Sequence, residues 1–196
     1  RKRCGYGVHS PSAFDFITSV IYEKAQYYAY DDIENSEQYR KVKAIQTIQT
    51  ITKVYRLLFR LVNRIQPHNI IEVGPLSTSV LYLRAAKGNA EYVSFSTETD
   101  GPDIISKYIT HHGTNFVFIR YKENQEIIKK VIELSFPKIN KESVFVFEGI
   151  CYDSSMRQLW HEIECNEHAI TTYDLYDLGI VLFDSAKIKQ HYKVNF

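Results

Sequence analysis

Acidic residues follow several of the short apolar runs in this sequence. Glu72 and Gly74 end one run, Glu98 lies just beyond a second, and Glu148 ends another. A carboxylate can accept two hydroxyl hydrogen bonds at once, and a glycine lets the backbone approach a ligand closely. These residue types predict a site for a ribose-bearing ligand, although Glu98 taken alone is equally well explained as a solvated turn residue.

The order of the apolar runs predicts how these residues are positioned. From residue 69 onward, short apolar runs alternate with helical segments, which is typical of a parallel sheet with helices on both faces. The predicted strands cover 69–73, 92–96, 116–119, 144–147 and 169–173. The predicted helices between them lie near 78–87, 103–112, 124–134 and 154–165. Because ligands bind outside the carboxyl ends of parallel strands, the acids should lie at one edge of an α/β, Rossmann-like sheet.

Two further apolar runs follow the fifth predicted strand. They cover 179–183 and 191–195, with only a few polar residues between them. This separation is too short for a crossover helix, whereas antiparallel strands need only a short link. We therefore predict that these two runs pair as an antiparallel hairpin at the end of a mostly parallel sheet.

The first third of the chain has the periodicity of helices. Ser10-Pro11 is typical of a helix start, and the first helix should run to about Tyr28. The polar stretch from Asp31 to Glu37 is predicted to be a loop, followed by one long amphipathic helix that ends before Pro67. We expect residues 1–66 to form a helical cap packed on a Rossmann-like domain over residues 67–196.

Aromatic residues are concentrated near the end of the first predicted helix. Tyr22, Tyr27, Tyr28 and Tyr30 could line a pocket for an aromatic ligand or could pack the helix against the sheet. Packing is the more common role of such a cluster. Trp160, the single tryptophan, lies on the apolar face of a predicted helix and is expected in the core.

The composition excludes several classes of function. The 24 basic and 23 acidic residues give a net charge of +1, so we expect no nucleic-acid partner and no anionic membrane partner. The sequence has no apolar run of about 20 residues that could span a bilayer, and its first residues lack the apolar core of a signal peptide. Its three cysteines lack the spacing of a zinc site and are expected to be reduced thiols. We predict a cytoplasmic protein that binds a small molecule. The sequence is also compatible with a homodimer.

Four segments taken together resemble a known family. They are Ile71-Glu72-Val73-Gly74, Leu81-Tyr82-Leu83, Glu98 and Val146-Phe147-Glu148-Gly149. As a set they resemble the class I S-adenosylmethionine-dependent methyltransferases, and within that family they are most similar to the small-molecule O-methyltransferase branch. The resemblance spans residues 67–196.

The resemblance implies S-adenosylmethionine as the cofactor. Glu72 and Gly74 would lie beside the methionine part of the cofactor, and Glu98 would bind its ribose. The complete set of candidate cofactor-binding residues is Glu72, Gly74, Ser77, Thr78, Glu98 and Glu148.

The loop after Gly74 departs from the family pattern. Ser77 or Thr78 stands where the family has a second glycine, and either side chain would narrow the cofactor pocket. Pro75 also removes one backbone donor from the loop. Nevertheless, the hydroxyls of Ser77, Thr78 and Ser79 lie at a predicted helix N-terminus and could hold a carboxylate or phosphate.

The resemblance also implies methyl transfer to a small-molecule acceptor, with oxygen as the expected acceptor atom. Candidate catalytic bases are Glu148, Asp153 and Asp174, with His9 or His191 as further candidates if the chain ends fold over the site. Some O-methyltransferases of this branch bind a divalent metal through two aspartates and an asparagine. Glu148 and Asp174 alone would hold a hard cation weakly, so we expect no metal.

Two other functions are compatible with parts of the sequence. A catalytically silent relative could keep the fold for binding or assembly, and the missing loop glycine favours that interpretation. A nicotinamide oxidoreductase would need the motif Gly-x-Gly-x-x-Gly, of which only Gly74 is present.

Overall fold

The computed structural model describes residues 5, 7–45, 52–96, 102–112, 115–121 and 124–196. Glu98, predicted as the ribose ligand, lies outside the described residues. The described strands are β1 Asn69–Val73, β2 Glu91–Phe95, β3 Phe116–Ile119, β4 Val144–Glu148, β5 Thr171–Asp174, β6 Leu178–Leu182 and β7 Gln190–Lys193. They form one sheet in the order β2-β1-β3-β4-β6-β5-β7.

Strands β1 to β4 are parallel, as the sequence predicts. All residues of β1, β3 and β4 are buried, which explains why these strands appear as continuous apolar runs. The chain places β2 on one side of β1 and then returns to place β3 on the other side. This reversal of strand order is a topological switch point, and open α/β sheets bind their ligands at the carboxyl ends of the strands at such a point.

Helices cover both faces of the sheet. The described helices are α1 Pro11–Phe16, α2 Tyr28–Asn35, α3 Glu37–Ile45, α4 Thr52–Ile65, α5 Ser79–Ala86, α6 Pro102–His112, α7 Gln125–Ser135 and α8 Ser154–Cys165. A π-helical turn, Ile17–Ile21, continues α1, and a 3₁₀ turn, Phe136–Lys138, follows α7. Apolar side chains of α1 to α5 form a core with one face of the sheet, and those of α6 to α8 form a second core with the other face.

The N-terminal part differs from the prediction of two helices separated by a loop. Most of the predicted loop from Asp31 to Glu37 belongs to α2, because Tyr30 and Ile33 lie one turn apart and are both buried. The first helix ends in the π-helical turn well before Tyr28. The predicted long helix corresponds to α3 and α4, and residues 46–51 between them lie outside the described residues.

The prediction that residues 179–183 pair with 191–195 is wrong. Strand β6 lies between β4 and β5 and is antiparallel to both, whereas β7 pairs with β5 in parallel at the edge of the sheet. Burial explains this order, since β6 is almost entirely buried and β7 is polar and mostly exposed. The expected antiparallel hairpin is nevertheless present, because β5 and β6 form it through the short link 175–177.

No helix among the described residues is long and apolar enough to cross a membrane.

Candidate functional site

Three charged side chains lie on neighbouring strands at the carboxyl edge of the sheet. Glu72 belongs to β1, Arg120 directly follows β3 and Glu148 ends β4. Glu72 pairs with Phe118, and the pairing of Ile119 with Phe147 places Arg120 opposite Glu148. Since alternate residues of a strand share a face, all three side chains lie on the face covered by α4 and α5. Their exposed fractions are only 3%, 1% and 3%.

Glu72 is held by two hydroxyl groups. Tyr92 donates a hydrogen bond of 2.6 Å to one carboxylate oxygen, and Ser79 donates to the other. Burial raises the pKa of Glu72 above its usual range, although Arg120 and the two hydroxyl donors oppose this shift. Glu72 therefore keeps its proton to a higher pH than an exposed glutamate.

Arg120 fills the space directly over Gly74. A Cβ atom built on Gly74 would lie 2.6 Å from the Arg120 Cβ and 3.1 Å from its Cγ, so this contact requires glycine. Gly74 also has a φ of +140°, which L-residues with side chains rarely adopt. The Arg120 backbone N–H donates to the Val73 carbonyl at 2.8 Å and so fixes the start of this side chain against β1.

The Arg120 guanidinium joins the loop after β1 to the end of β4. Its Nη1 donates to the Pro75 carbonyl, and its Nε lies 3.4 Å from Oε2 of Glu148, as an ion pair without hydrogen-bond geometry. Glu148 also accepts a 3.2 Å hydrogen bond from the backbone N–H of Tyr121. Arg120 is not among the residues that the sequence predicts for the site, because the prediction rested on acids and glycines that follow apolar runs and not on a basic residue after 116–119.

The serines of the loop after Gly74 bind one another and Glu72. The hydroxyls of Ser77 and Ser79 are hydrogen-bonded, and the Ser79 backbone N–H donates to the Ser77 oxygen at 3.1 Å. Thr78 is the N-cap residue of α5, and its side chain makes no capping hydrogen bond. Ser77 and Thr78, at the positions of the missing glycine, are each only 1% exposed. The predicted cofactor loop is thus folded inward onto Glu72.

The other predicted catalytic acids have local structural partners. Asp153 is the N-cap of α8 and accepts the Met156 N–H at 2.8 Å. Asp174 accepts the Tyr176 N–H at 2.8 Å in the turn after β5. Glu148 pairs with Leu178 of β6, and Asp174 pairs with the next residue, Gly179, so the two acids lie on opposite faces of the sheet. The structure does not bring Asp174 together with Glu148.

Neither predicted histidine lies at this edge. His9 lines a cavity together with Ser143 and Val144, which are at the amino end of β4. The Nδ1 atom of His191 lies 2.8 Å from the Thr172 hydroxyl, within the β5–β7 pair. In the described part of the chain, no group of three or more His, Cys, Asp or Glu residues could hold a metal ion.

Comparison with known proteins identifies the fold. No family model and no curated protein sequence matches the chain. The solved O-methyltransferase TomG of Streptomyces achromogenes, which is involved in tomaymycin synthesis and was solved with SAM, matches with a TM-score of 0.57. It is 13% identical, and the match covers 82% of this chain and 92% of TomG.

Two further solved structures give the same result. An O-methyltransferase from Bacillus cereus in complex with SAH matches with a TM-score of 0.50 and 11% identity, over 87% of this chain and 97% of that one. The TDP-rhamnose 3'-O-methyltransferase CalS11 matches with a TM-score of 0.50 and 14% identity, over 81% and 96% of the two chains. The chain therefore has the fold of the class I methyltransferases, and the predicted Rossmann-like α/β architecture is confirmed.

Proposed function

We propose that the chain is a ligand-binding protein of the methyltransferase fold that does not transfer methyl groups, because Arg120 closes the cofactor position over Gly74. The supporting observation is the contact between Gly74 and the Arg120 side chain at the switch point between β1 and β3. The switch point is where open α/β sheets bind their ligands.

S-adenosylmethionine, the ligand named for the solved TomG structure, does not fit this arrangement of residues. The stem of Arg120 fills the space that the backbone of Gly74 would otherwise offer to a ligand. The reactive sulfonium of the cofactor is a cation, and a second cation beside a buried guanidinium is unfavourable at low dielectric.

A second candidate function is S-adenosylmethionine-dependent methyl transfer to a small-molecule acceptor, with oxygen as the acceptor atom. It is favoured by the fold shared with O-methyltransferases and by the acids Glu72 and Glu148 at the carboxyl edge. This function would require the Arg120 side chain to leave Gly74 and would break its contacts with Pro75 and Glu148.

Calorimetric titration with S-adenosylmethionine and S-adenosylhomocysteine separates the two functions. We expect the natural chain to give no heat of binding at about 1 mM ligand. This result would mean a Kd weaker than about 1 mM, which corresponds to a binding free energy of less than about 4 kcal/mol in magnitude. The double variant Arg120→Ala, Glu148→Gln removes the side chain and its paired charge together, and it should gain binding of both ligands. A control variant, Arg64→Ala with Asp15→Asn, removes an exposed ion pair and should not gain binding.

Each alternative result has a distinct meaning. Binding of S-adenosylmethionine by the natural chain contradicts the proposal and supports the second function. Binding of S-adenosylhomocysteine alone shows that charge, and not space, excludes the cofactor, because this ligand lacks the sulfonium. If the Arg120 double variant folds but binds neither ligand, Arg120 is not the residue that closes the position.

A further inference from the structure

A second potential binding site lies between the N-terminal helices and the end of the chain. The cavity has a volume of about 650 Å³, within the range of about 300–1,000 Å³ usual for small-molecule sites. Its lining includes the start of α4 and Phe196, which follows β7. Since the far end of α4 leads into β1, this cavity lies toward the carboxyl edge of the sheet. It is distinct from the contact between Arg120 and Gly74, because neither residue lines it.

The charge of the lining favours an anion. Four basic residues, Lys24, Lys53, Arg56 and Arg60, face two acidic residues, Glu23 and Glu34. Two of the basic residues are already engaged. Arg56 makes a bidentate pair with Glu34, at 2.8 and 2.9 Å, and Arg60 donates to the carbonyls of Val20 and Ile21 at 2.7 and 3.2 Å.

The remaining two cations are the lysines. Neither Lys24 nor Lys53 forms an ion pair with an acid among the described residues of the chain. Lys53 instead lies with its ammonium 4.0 Å from the centre of the Phe196 ring. One carboxylate oxygen of Glu23 accepts the Ala25 N–H at 2.7 Å. Two ammonium groups are thus available to a ligand that enters the cavity.

The aromatic residues of the lining provide flat surfaces for a ring. Tyr30 is only 2% exposed, its hydroxyl donates to the Arg56 carbonyl at 3.2 Å and its ring lies 4.9 Å from the Arg56 guanidinium, so this ring is not free to stack on a ligand. Tyr22 and Phe196 also line the cavity. Aromatic side chains hold planar ligands by stacking, and the neighbouring lysines would hold an attached charge.

We propose that this cavity binds a small, ring-containing anion, with its carboxylate or phosphate held by Lys24 and Lys53 and its ring against Tyr22 and Phe196, which are both partly exposed. This assignment does not depend on the closure of the cofactor position by Arg120. If no anion binds in this cavity, the proposed closure of the cofactor position by Arg120 still stands. If the natural chain binds the cofactor, the proposed anion site still stands.

The test is calorimetric titration of the full chain with three related probes. These are 4-nitrophenyl phosphate, 4-nitrobenzoate and the neutral 4-nitroanisole. We expect one or both anions to bind with a Kd below about 1 mM, and the neutral probe to bind at least about tenfold more weakly. The relative affinities of the two anions distinguish a phosphate ligand from a carboxylate ligand.

Charge variants place the binding in this cavity. Lys24→Gln with Lys53→Gln should weaken anion binding by at least about tenfold, because both ammonium groups are lost. The matched control is Lys141→Gln with Lys187→Gln, which removes two lysines from the cavity at the amino end of β4 and should leave the affinity unchanged. Phe196→Ala should weaken binding of the aromatic anions but not of inorganic phosphate, measured as a fourth probe.

Three results would overturn the proposal. They are no binding of either anion at about 1 mM, an equal affinity for the neutral probe, and an equal loss of affinity in the two lysine double variants. Circular dichroism of each variant checks that a lost affinity does not reflect a lost fold. If the Lys24, Lys53 variant is unfolded, the proposal is tested instead by Phe196→Ala and by the neutral probe.

Discussion

Glu72 is a buried acid at the carboxyl edge, and its environment raises its pKa. Burial raises its pKa from 4.5, and the opposing effects of Arg120, Ser79 and Tyr92 do not cancel this shift. An acid with a raised pKa in the folded protein binds its proton more tightly there than in the unfolded chain. Its contribution to stability is therefore complete below about pH 4.5 and declines as the pH rises toward the pKa of the folded protein.

This linkage predicts the pH dependence of a Glu72→Gln variant. Glutamine does not ionise, but its amide can still bond to the hydroxyls of Ser79 and Tyr92. As the pH rises from about 4.5, the natural chain should lose stability relative to the variant, until Glu72 is ionised in the folded protein. Urea unfolding of both proteins between about pH 4.5 and 8 measures the difference. A constant difference across this interval would show that the pKa of Glu72 is not raised.

Three residues show what sequence patterns could and could not predict about this site. Glu72 and Glu148 were predictable as strand ends, because each follows an apolar run. Their roles in cofactor binding remain predictions. Arg120 also follows such a run, but its importance depends on β3 lying beside β1, and the order of strands along the chain does not reveal which strands are neighbours.

At the scale of elements, the position of β6 between β4 and β5 depends on Gly179. A Cβ atom at this position would lie 2.4–2.7 Å from three atoms of the Trp160 ring, so the α8 tryptophan packs directly on the strand backbone. Periodicity predicted Trp160 as a core residue, and its 6% exposure confirms this. Periodicity could not predict the strands beside β6, because a continuous apolar run shows that a strand is buried but not which strands it pairs with.

The variant Gly179→Ala tests this packing. We expect a loss of about 1–3 kcal/mol in the free energy of unfolding, because the added methyl group must displace a buried indole. Gly88→Ala is the matched control, since the nearest atom to its added Cβ would be the Arg84 carbonyl oxygen at 3.9 Å. The control should be neutral or slightly stabilising. Equal urea midpoints for the natural chain and Gly179→Ala would contradict the role of Gly179.

Asp153 is the N-cap residue of α8, and its role as a catalytic base remains a prediction. Its side chain accepts the Met156 N–H at the start of α8, and Asn124 accepts the Glu126 N–H at the start of α7 in the same way. Asp153→Ala should therefore cost about 1 kcal/mol of stability, and Asn124→Ala should cost a similar amount. Thermal unfolding of the two variants checks this. A loss of ligand binding in Asp153→Ala without a loss of stability would instead favour a functional role.

At the scale of the whole molecule, the N-terminal helices and the sheet share one apolar core. Leu57, Leu58 and Leu61 of α4 belong to the same cluster of buried residues as Ile70 of β1 and Phe118 of β3. The ion pair of Arg56 with Glu34, and the 2.9 Å hydrogen bond from Tyr82 of α5 to the same glutamate, join three helices across this core. The division into a cap over 1–66 and a domain over 67–196 remains a prediction, and these contacts favour a single cooperative unit.

The variant Leu57→Ala decides between one cooperative unit and two. Leu57 is fully buried in α4, so its truncation should cost about 2–5 kcal/mol. Trp160, the single tryptophan, lies in the core on the other face of the sheet and reports unfolding there by fluorescence, whereas circular dichroism reports all the helices.

If the molecule unfolds as one unit, Leu57→Ala lowers the urea midpoints of both signals by the same amount. Ile45→Ala, at a position 67% exposed on α3, is the control and should shift neither. If the cap unfolds independently, Leu57→Ala would lower only part of the circular dichroism transition, and the Trp160 midpoint would stay unchanged.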